Sequence, residues 1–247
     1  MKALAIICRT PNDILCSFYN NFEKKYDVFM IIDTDHYDSK YFQHKYQNIT
    51  FVQVDADRCL ENYIKNTNNT AVIRKTVAGW DKALYYFIHD RRQYNQVWFL
   101  EDDVFIYDVE TLLNNDMKYK NYDLICNSMF EEGKSDIWLW KNIDILIPPP
   151  YYCGMCCASR LSRNMLEAIN TYAQRFKTLF FIEALLPTIV KYFNLRSIKS
   201  PEELQTVTYN RKWDFPRDFK KTGIFHPVKK PEDHLLIRDH LNNDQTI

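Results

Sequence analysis

Residues 97–107 read VWFLEDDVFIY, with three consecutive acidic side chains between two runs of aromatic and aliphatic residues. This pattern is typical of carboxylates carried at the end of a buried strand. Mg2+ and Mn2+ prefer carboxylate oxygens and usually complete their coordination with water and substrate phosphates. We therefore interpret Glu101, Asp102 and Asp103 as a candidate site for a metal ion and a diphosphate. The alternative is an acidic tight turn between two strands.

The apolar runs that precede this stretch predict an α/β fold. They occupy residues 4–8, 27–33 and 49–55, with polar or amphipathic sequence between them. Parallel sheets covered by helices on both faces produce such runs, so residues 97–100 are expected to form the fourth strand. Open α/β sheets bind ligands at the carboxyl ends of their strands, which is where the acidic residues would then lie.

The remaining pattern predicts further helices and short strands. Apolar positions from Ile73 to Ile88 recur at helical spacing and predict one long helix that ends near Asp90. Beyond the acidic stretch we expect strands at 104–107, 122–126 and 136–140, an aromatic loop at 147–154, a helix from Ser162, and an apolar helix around Glu183 that bends or divides near Pro187. The sequence contains no repeat or low-complexity linker. We expect a single domain, residues 1–247, with a nucleotide-sugar half at about 1–110 and an acceptor-binding and catalytic half at about 111–247.

Composition excludes some functional classes. Hydrophobic residues make up 46% of the 247 residues, which is ample for a core, and Lys+Arg and Asp+Glu both total 32. The net charge of zero argues against a general nucleic-acid or membrane-surface binder. The apolar segment 179–193 is interrupted by Glu183, Pro187 and Lys191, so no membrane span is expected. Local basic charge near the C-terminus, including Lys229, would neutralise phosphate if it folded over the cleft.

The cysteines and the N-terminus predict a cytoplasmic protein. Seven cysteines, an odd number, are scattered along the chain, and residues 1–8 do not resemble a secretory signal. The cluster at residues 153–157 has no second pair at zinc-finger spacing, so we expect buried thiols rather than a zinc or redox site. The abundance of Asn, Lys, Ile and Tyr suggests an AT-rich genome, such as that of a virus or a protist.

Five features in a fixed order make the chain resemble the GT-A glycosyltransferases. They are an N-terminal nucleotide-binding α/β half, the acidic motif in 99–104, a Gly-containing aromatic loop before 158–162, an acidic residue in 181–187, and a late GIFHPVK segment at 223–229. The resemblance implies a GT-A, Rossmann-like fold with a mostly parallel central sheet flanked by helices and a smaller acceptor-side sheet. The family's acidic motif is usually Asp-x-Asp, and this sequence has Glu at the first position.

The resemblance also implies roles for individual residues. Asp103 and His226 would bind a divalent metal, Mn2+ or Mg2+, and Glu101 and Asp102 would contact ribose or metal-bound water. Arg9, Thr10 and Asp33 would contact the base and ribose of the nucleotide, and Lys82 and Lys229 its phosphates. Gly154 would let the backbone approach the sugar or the acceptor closely. Glu183 corresponds to the family's general base, which implies inversion of configuration.

Glu183 can be argued without the resemblance. A lone carboxylate among Phe180, Phe181 and Leu185 is costly to bury unpaired, so it faces a cleft or has a partner. Desolvation would bring its pKa toward the range of a general base. The alternative is a structural carboxylate paired with Arg160 or Arg163. For His226, the alternative is an ordinary loop histidine.

The predicted activity is transfer of a sugar from a nucleotide-diphosphate sugar, with a UDP-sugar favoured, to a hydroxyl of a carbohydrate, glycan or protein. A nucleotidylyltransferase is the second enzyme considered, although residues 8–11 lack the glycine of a phosphate-binding loop. A catalytically silent carbohydrate- or partner-binding module of the same fold is the third possibility.

Overall fold

The computed structural model describes residues 1–66, 76–131, 143–215 and 217–243. Two predicted elements fall partly or wholly outside these ranges. They are the beginning of the long helix at Ile73 and the strand at 136–140. No helix in the described part of the chain is both long and apolar enough to cross a bilayer.

A seven-stranded central sheet forms the body of the molecule. Its strands are β1 (Lys2–Cys8), β2 (Asp27–Ile32), β3 (Ile49–Val52), β4 (Gln96–Glu101), β6 (Leu124–Glu131), β7 (Tyr152–Ser162) and β8 (Ser197–Ile198). The order across the sheet is β3-β2-β1-β4-β7-β6-β8. Only β7 runs antiparallel to its neighbours in this sheet. The predicted mostly parallel central sheet of an α/β fold is confirmed.

In the described parts of the chain, eight α-helices accompany the strands. They are α1 (Asp13–Tyr19), α2 (Lys40–Lys45), α3 (Ala56–Glu61), α4 (Gly79–Tyr85), α5 (Val109–Lys118), α6 (Arg163–Phe176), α7 (Ile182–Tyr192) and α8 (Pro231–Asn243). A π-helical turn, Tyr86–Asp90, continues α4. The sheet separates two hydrophobic clusters, because alternate residues of β1 point to opposite faces: Ala3, Ala5 and Ile7 to one, Leu4, Ile6 and Cys8 to the other.

A second, two-stranded sheet brings the C-terminal part of the chain to the acidic stretch. It consists of β5 (Phe105–Ile106) and β9 (Ile224–Phe225), which pair antiparallel with Phe105 opposite Phe225. Phe105 and Phe225 also belong to a third apolar cluster with Phe219, Val228 and Ile237. The pairing places His226, which follows β9, beside Asp103 and Val104, which precede β5.

Three predicted element boundaries differ from the structure. The helix predicted from residue 73 begins at Gly79 in the described residues, and Val77 precedes it. The predicted loop 147–154 ends early, because β7 begins at Tyr152 and includes Gly154. The helix around Glu183 is not divided, because α7 continues through Pro187. Local sequence pattern alone therefore does not fix where these elements begin and end.

Candidate active site

The acidic residues lie at the carboxyl edge of the central sheet. After β4 ends at Glu101, the chain turns, with Val104 N donating to the Glu101 carbonyl oxygen and Asp102 N to the Ile7 carbonyl oxygen, both at 3.0 Å. A cleft of about 650 Å3 opens at this edge. Six residues predicted for the site line it together: Arg9, Asp33, Glu101, Asp102, Asp103 and Lys229. Thr10 is exposed and lies one residue beyond Arg9 in the loop after β1.

His226 faces Asp103 across the small sheet. Its Nε2 lies 3.2 Å from Asp103 Oδ1, and its Nδ1 lies 2.8 Å from the Thr208 carbonyl oxygen. A carbonyl oxygen only accepts hydrogen bonds, so Nδ1 carries a proton, and Nε2 of a neutral ring is left with its lone pair toward the acidic residues. Val228 N donates to the Asp103 carbonyl oxygen at 2.7 Å and fixes the two segments together.

The electrostatics of the site are dominated by burial and by three acidic groups in sequence. Burial, together with the charges of Asp103 and Glu101, raises the pKa of Asp102 to about 6. Burial also acts to raise the pKa of Asp103, but the close contacts and positive charges of His226 and Lys229 outweigh it and lower that pKa to about 2. Burial lowers the pKa of His226, yet Asp103 outweighs this and the pKa is raised. Asp103 is therefore an anion at neutral pH.

The donor set at this position fits a divalent cation. Ligand atoms of Glu101, Cys157 and His226 lie within 4.8 Å of one another, the one such group in the described residues. Asp103 Oδ1 is buried and lies 3.2 Å from His226 Nε2, which donates to it only when the ring is protonated. With a neutral ring this buried carboxylate oxygen has no donor, which is costly, and a cation bound between the two groups would satisfy it. Asp103 Oδ2 contacts the ammonium of Lys229, a side chain that is 73% exposed.

Glu183 lies in an adjoining cavity. This cavity, about 170 Å3, is lined by Glu183, Phe180 and Phe181 from the start of α7 and its preceding loop. It shares three lining residues, Ala78, Trp80 and Glu101, with the larger cleft. Trp80 Nε1 donates to Glu101 Oε1 at 2.8 Å, so the wall between the two spaces is fixed by that hydrogen bond. The sequence places Trp80 only on the apolar face of a helix, and its contact with Glu101 was not predicted.

The two arginines considered as partners of Glu183 have other contacts. Arg160 is fully buried and contacts Asp116 Oδ1 at 3.2 Å and the Tyr119 carbonyl oxygen at 2.6 Å. Arg163 donates to backbone carbonyl oxygens, including that of Phe87 at 2.9 Å. Both guanidinium groups therefore bind structural partners away from α7.

Lys82 lies beneath the edge of the sheet where β2 ends. It is only 2% exposed, and its ammonium contacts the Asp33 carbonyl oxygen at 2.7 Å and Asp35 Oδ1 at 2.6 Å. A second opening of about 550 Å3, lined by Asp35 and Lys82 among others, lies beside these residues. The start of α4 packs closely here, because a Cβ added to Gly79 would lie 2.8 Å from Ile7 Cγ2. Lys82 is thus used to hold the β2 loop.

Gly154 does not reach either space. It is buried within β7, and its carbonyl oxygen accepts a hydrogen bond from Cys156 Sγ at 3.5 Å. It is absent from the described linings of the cleft and of the Glu183 cavity. The sequence analysis placed Gly154 at the end of an aromatic loop, against the sugar or acceptor, whereas the structure places it in a strand.

Comparisons with known proteins support the fold. No protein-family model and no curated protein sequence matches the chain. The galactosyltransferase LgtC in complex with donor and acceptor sugar analogs is similar in structure, with a TM-score of 0.51, 12% identity, and coverage of 98% of this chain and 96% of that chain. An active-site mutant of LgtC has a TM-score of 0.51 and 11% identity, with coverage of 97% of this chain and 96% of that chain. A 4-diphosphocytidyl-2C-methyl-D-erythritol synthase from Anaerococcus prevotii DSM 20548 has a TM-score of 0.49 and 12% identity, with coverage of 98% of this chain and 96% of that chain. The likeness to LgtC confirms the GT-A resemblance at the level of the fold.

Proposed function

We propose that the protein is a metal-dependent glycosyltransferase that moves a sugar from a nucleotide-diphosphate sugar, with a UDP-sugar favoured, to a hydroxyl acceptor. One observation carries the proposal. The cleft that holds the acidic residues adjoins the cavity that holds Glu183, and Ala78, Trp80 and Glu101 line both. A donor bound by its diphosphate at the acidic residues would direct its sugar toward a carboxylate, which is the arrangement that transfer to a hydroxyl requires.

The donor side uses residues from the N-terminal half together with His226 and Lys229 from the C-terminal part. Arg9 and Asp33 are proposed to contact the base and ribose, with Lys82 holding the Asp33 loop in place. Asp103 and His226 are proposed as metal ligands, and Glu101 and Asp102 as groups that contact the metal, its water or the ribose. A bound Mn2+ or Mg2+ would neutralise the diphosphate and the charge that develops on the leaving group. Lys229, already at the cleft wall, adds a positive charge.

The acceptor side uses Glu183. It lies in the first turn of α7, where the helix dipole stabilises its ionised form, and apolar side chains line its cavity. In the proposed step, Glu183 accepts the proton of the acceptor hydroxyl as its oxygen bonds to the anomeric carbon and the bond to the diphosphate breaks. Attack from the side opposite the leaving group inverts the configuration. The acceptor is a carbohydrate, a glycan or a protein hydroxyl, bound by the half of the chain from about residue 111.

A donor panel tests the activity. Thermal shift and calorimetry with UDP-, GDP- and CDP-sugars, each with and without Mn2+, should show a metal-dependent increase in melting temperature with a nucleotide sugar. Release of free nucleotide with a sugar acceptor would then confirm transfer. Turnover of CTP to pyrophosphate instead would establish a nucleotidylyltransferase, and absence of any nucleotide effect would favour a silent binding module.

Glu183→Gln separates catalysis from binding. This variant should lower the transfer rate by at least about 100-fold, while the dissociation constant of the donor changes less than about 3-fold. Glu202→Gln, at a side chain that is 83% exposed, is the matched control. A transfer rate of Glu183→Gln equal to that of the control would remove Glu183 as the base and with it the argument for inversion.

A further inference from the structure

We propose that Cys157 is a ligand of the same divalent cation as Glu101 and His226, so that the site is a mixed oxygen, nitrogen and sulfur site that prefers thiophilic ions to Mg2+. The proposal rests on the metal site of the proposed function and specifies which metals it takes. It goes beyond the carboxylate and histidine ligands that the sequence indicates.

The first argument is position. β7 runs antiparallel to β4, and the register pairs Leu100 with Ala158, so the next residues along the two strands are Glu101 and Cys157. Opposed residues of an antiparallel pair have neighbouring side chains. The pairing of β5 with β9 brings His226 to the same place. As a result, the ligand atoms of the three residues all lie within 4.8 Å of one another.

The second argument is burial. Cys157 is 8% exposed and His226 is 5% exposed, so both ligand atoms are protected from bulk solvent and competing ligands. Asp103 borders this group, because its buried Oδ1 lies 3.2 Å from His226 Nε2. The cluster therefore combines a thiol, an imidazole nitrogen and a carboxylate, and each of these groups is an established ligand of divalent transition metals.

The third argument is the contrast with the other cysteines. All seven are free and buried, but in the described residues only Cys157 is grouped with a carboxylate and a histidine at ligand distances. Its neighbour Cys156 packs in the hydrophobic cluster on the other face of the sheet, where its Sγ lies 3.5 Å from the Gly154 carbonyl oxygen. Cys156 is thus a matched control of the same type on the same strand.

The chemistry is simple ligand exchange. On binding, the Cys157 S–H bond releases its proton to solvent, and the sulfur lone pair forms the bond to the cation, with no change in oxidation state. Thiolate favours Zn2+, Co2+ and Cd2+ and is a poor ligand for Mg2+. The same exchange is not available to serine, because an alcohol is far less acidic than a thiol.

Cobalt spectroscopy tests the assignment without any sugar substrate. Titration of the metal-free protein with Co2+ should produce a near-ultraviolet sulfur-to-cobalt charge-transfer band. Cys157→Ser should abolish the band and lower the affinity for Cd2+ by at least about 10-fold, while the affinity for Mg2+ stays within about 3-fold. Cys156→Ser should retain both the band and the affinity. Co2+ binding without a band in the wild type, or persistence of the band in Cys157→Ser, would overturn the proposal.

Two further measurements keep the outcome decisive. If Cys157→Ser does not fold, X-ray absorption of the Zn2+-loaded wild type should still show one Zn–S distance of about 2.3 Å, and its absence refutes the assignment. A protein that shows the sulfur band but transfers no sugar would refute the glycosyltransferase function and leave the ligand assignment standing. Failure to bind Co2+ at all would refute both the metal site and the role of Cys157.

Discussion

His226 is held between a backbone carbonyl oxygen and Asp103: Nδ1 lies 2.8 Å from the Thr208 carbonyl oxygen, and Nε2 lies 3.2 Å from Asp103 Oδ1. This arrangement fixes both the orientation and the tautomer of the ring before any ligand arrives. Because the β5–β9 pairing sets the distance, the two residues meet despite their separation in the chain. Asp103 and His226 are the two residues that the proposed function assigns as metal ligands.

The first prediction concerns His226. His226→Gln removes an imidazole ligand and should lower the affinity for Mn2+ by about 10- to 100-fold, measured by calorimetry on the metal-free protein. Its melting temperature without metal serves to confirm folding. His44→Gln, at an exposed histidine on α2, should leave the affinity unchanged. Equal Mn2+ affinity in the two variants would return His226 to the role of an ordinary loop histidine.

Part of this arrangement is predictable from sequence. The apolar runs predict the parallel strands, because a strand buried on both faces cannot alternate polar and apolar residues. The acidic residues directly after the fourth run are then predicted at the carboxyl edge. The contact between Asp103 and His226 was predicted only through the order of motifs in the GT-A resemblance, since no local pattern reports a pairing between β5 and β9.

The rest depends on tertiary contacts. Lys82 has the sequence context of a surface helix lysine, and only the packing of α4 against β1 and β2 shows that it is buried. Cys157 lies in a run of cysteines that predicts core thiols, and its position beside Glu101 follows from the register of β4 and β7. Gly154 was predicted in a loop because proline and aromatic residues precede it, whereas pairing with β6 extends the strand to Tyr152.

The second prediction concerns Lys82. Lys82→Met preserves much of the side-chain volume but removes the contacts to the Asp33 carbonyl oxygen and Asp35, so the β2 loop should loosen. We expect the affinity for the nucleotide alone to fall by about 10-fold, while Mn2+ affinity is unchanged. Lys24→Met, at an exposed lysine, is the control. Loss of Mn2+ affinity together with nucleotide affinity would contradict a local positioning role.

The third prediction concerns the buried pair of Arg160 and Asp116. Arg160→Met removes the guanidinium that pairs with Asp116 and donates to the carbonyl oxygens of Tyr119 and Tyr122. Asp116 keeps hydrogen bonds from Tyr26 and Trp98 and the contact with Lys2. Removing one partner of a buried ion pair is costly, so the free energy of unfolding should fall by about 3 to 5 kcal/mol in urea titration. Arg92→Met, at a side chain that is 66% exposed, should change it by less than about 1 kcal/mol. If Arg160→Met lowered the free energy of unfolding no more than Arg92→Met, the Arg160–Asp116 pair would contribute little to stability.

The fourth prediction concerns Asp81, a buried carboxylate whose Oδ2 accepts a hydrogen bond from Ala78 N at 2.8 Å. Burial raises the pKa of Asp81 from its ordinary value of 3.8 to about 7. The folded protein therefore keeps a proton that the unfolded chain releases. Stability from this group is fully present below pH about 3.8 and is lost as the pH rises to about 7.

Asp81→Asn removes this titration and keeps an oxygen that can accept from Ala78 N. Relative to the wild type, the free energy of unfolding of the variant should increase between pH 4 and pH 8 by at most about 4 kcal/mol, measured by urea unfolding at both pH values. Comparison with Asp57→Asn, which removes an exposed aspartate from the first turn of α3, controls for the loss of one negative charge. The same difference from the wild type at both pH values would show that Asp81 titrates alike in the folded and unfolded chains. If the free energy of unfolding of the variant, relative to the wild type, fell with rising pH, the surroundings would favour the ionised carboxylate of Asp81. The sign of this pH dependence therefore decides whether desolvation or hydrogen bonding dominates at the start of α4.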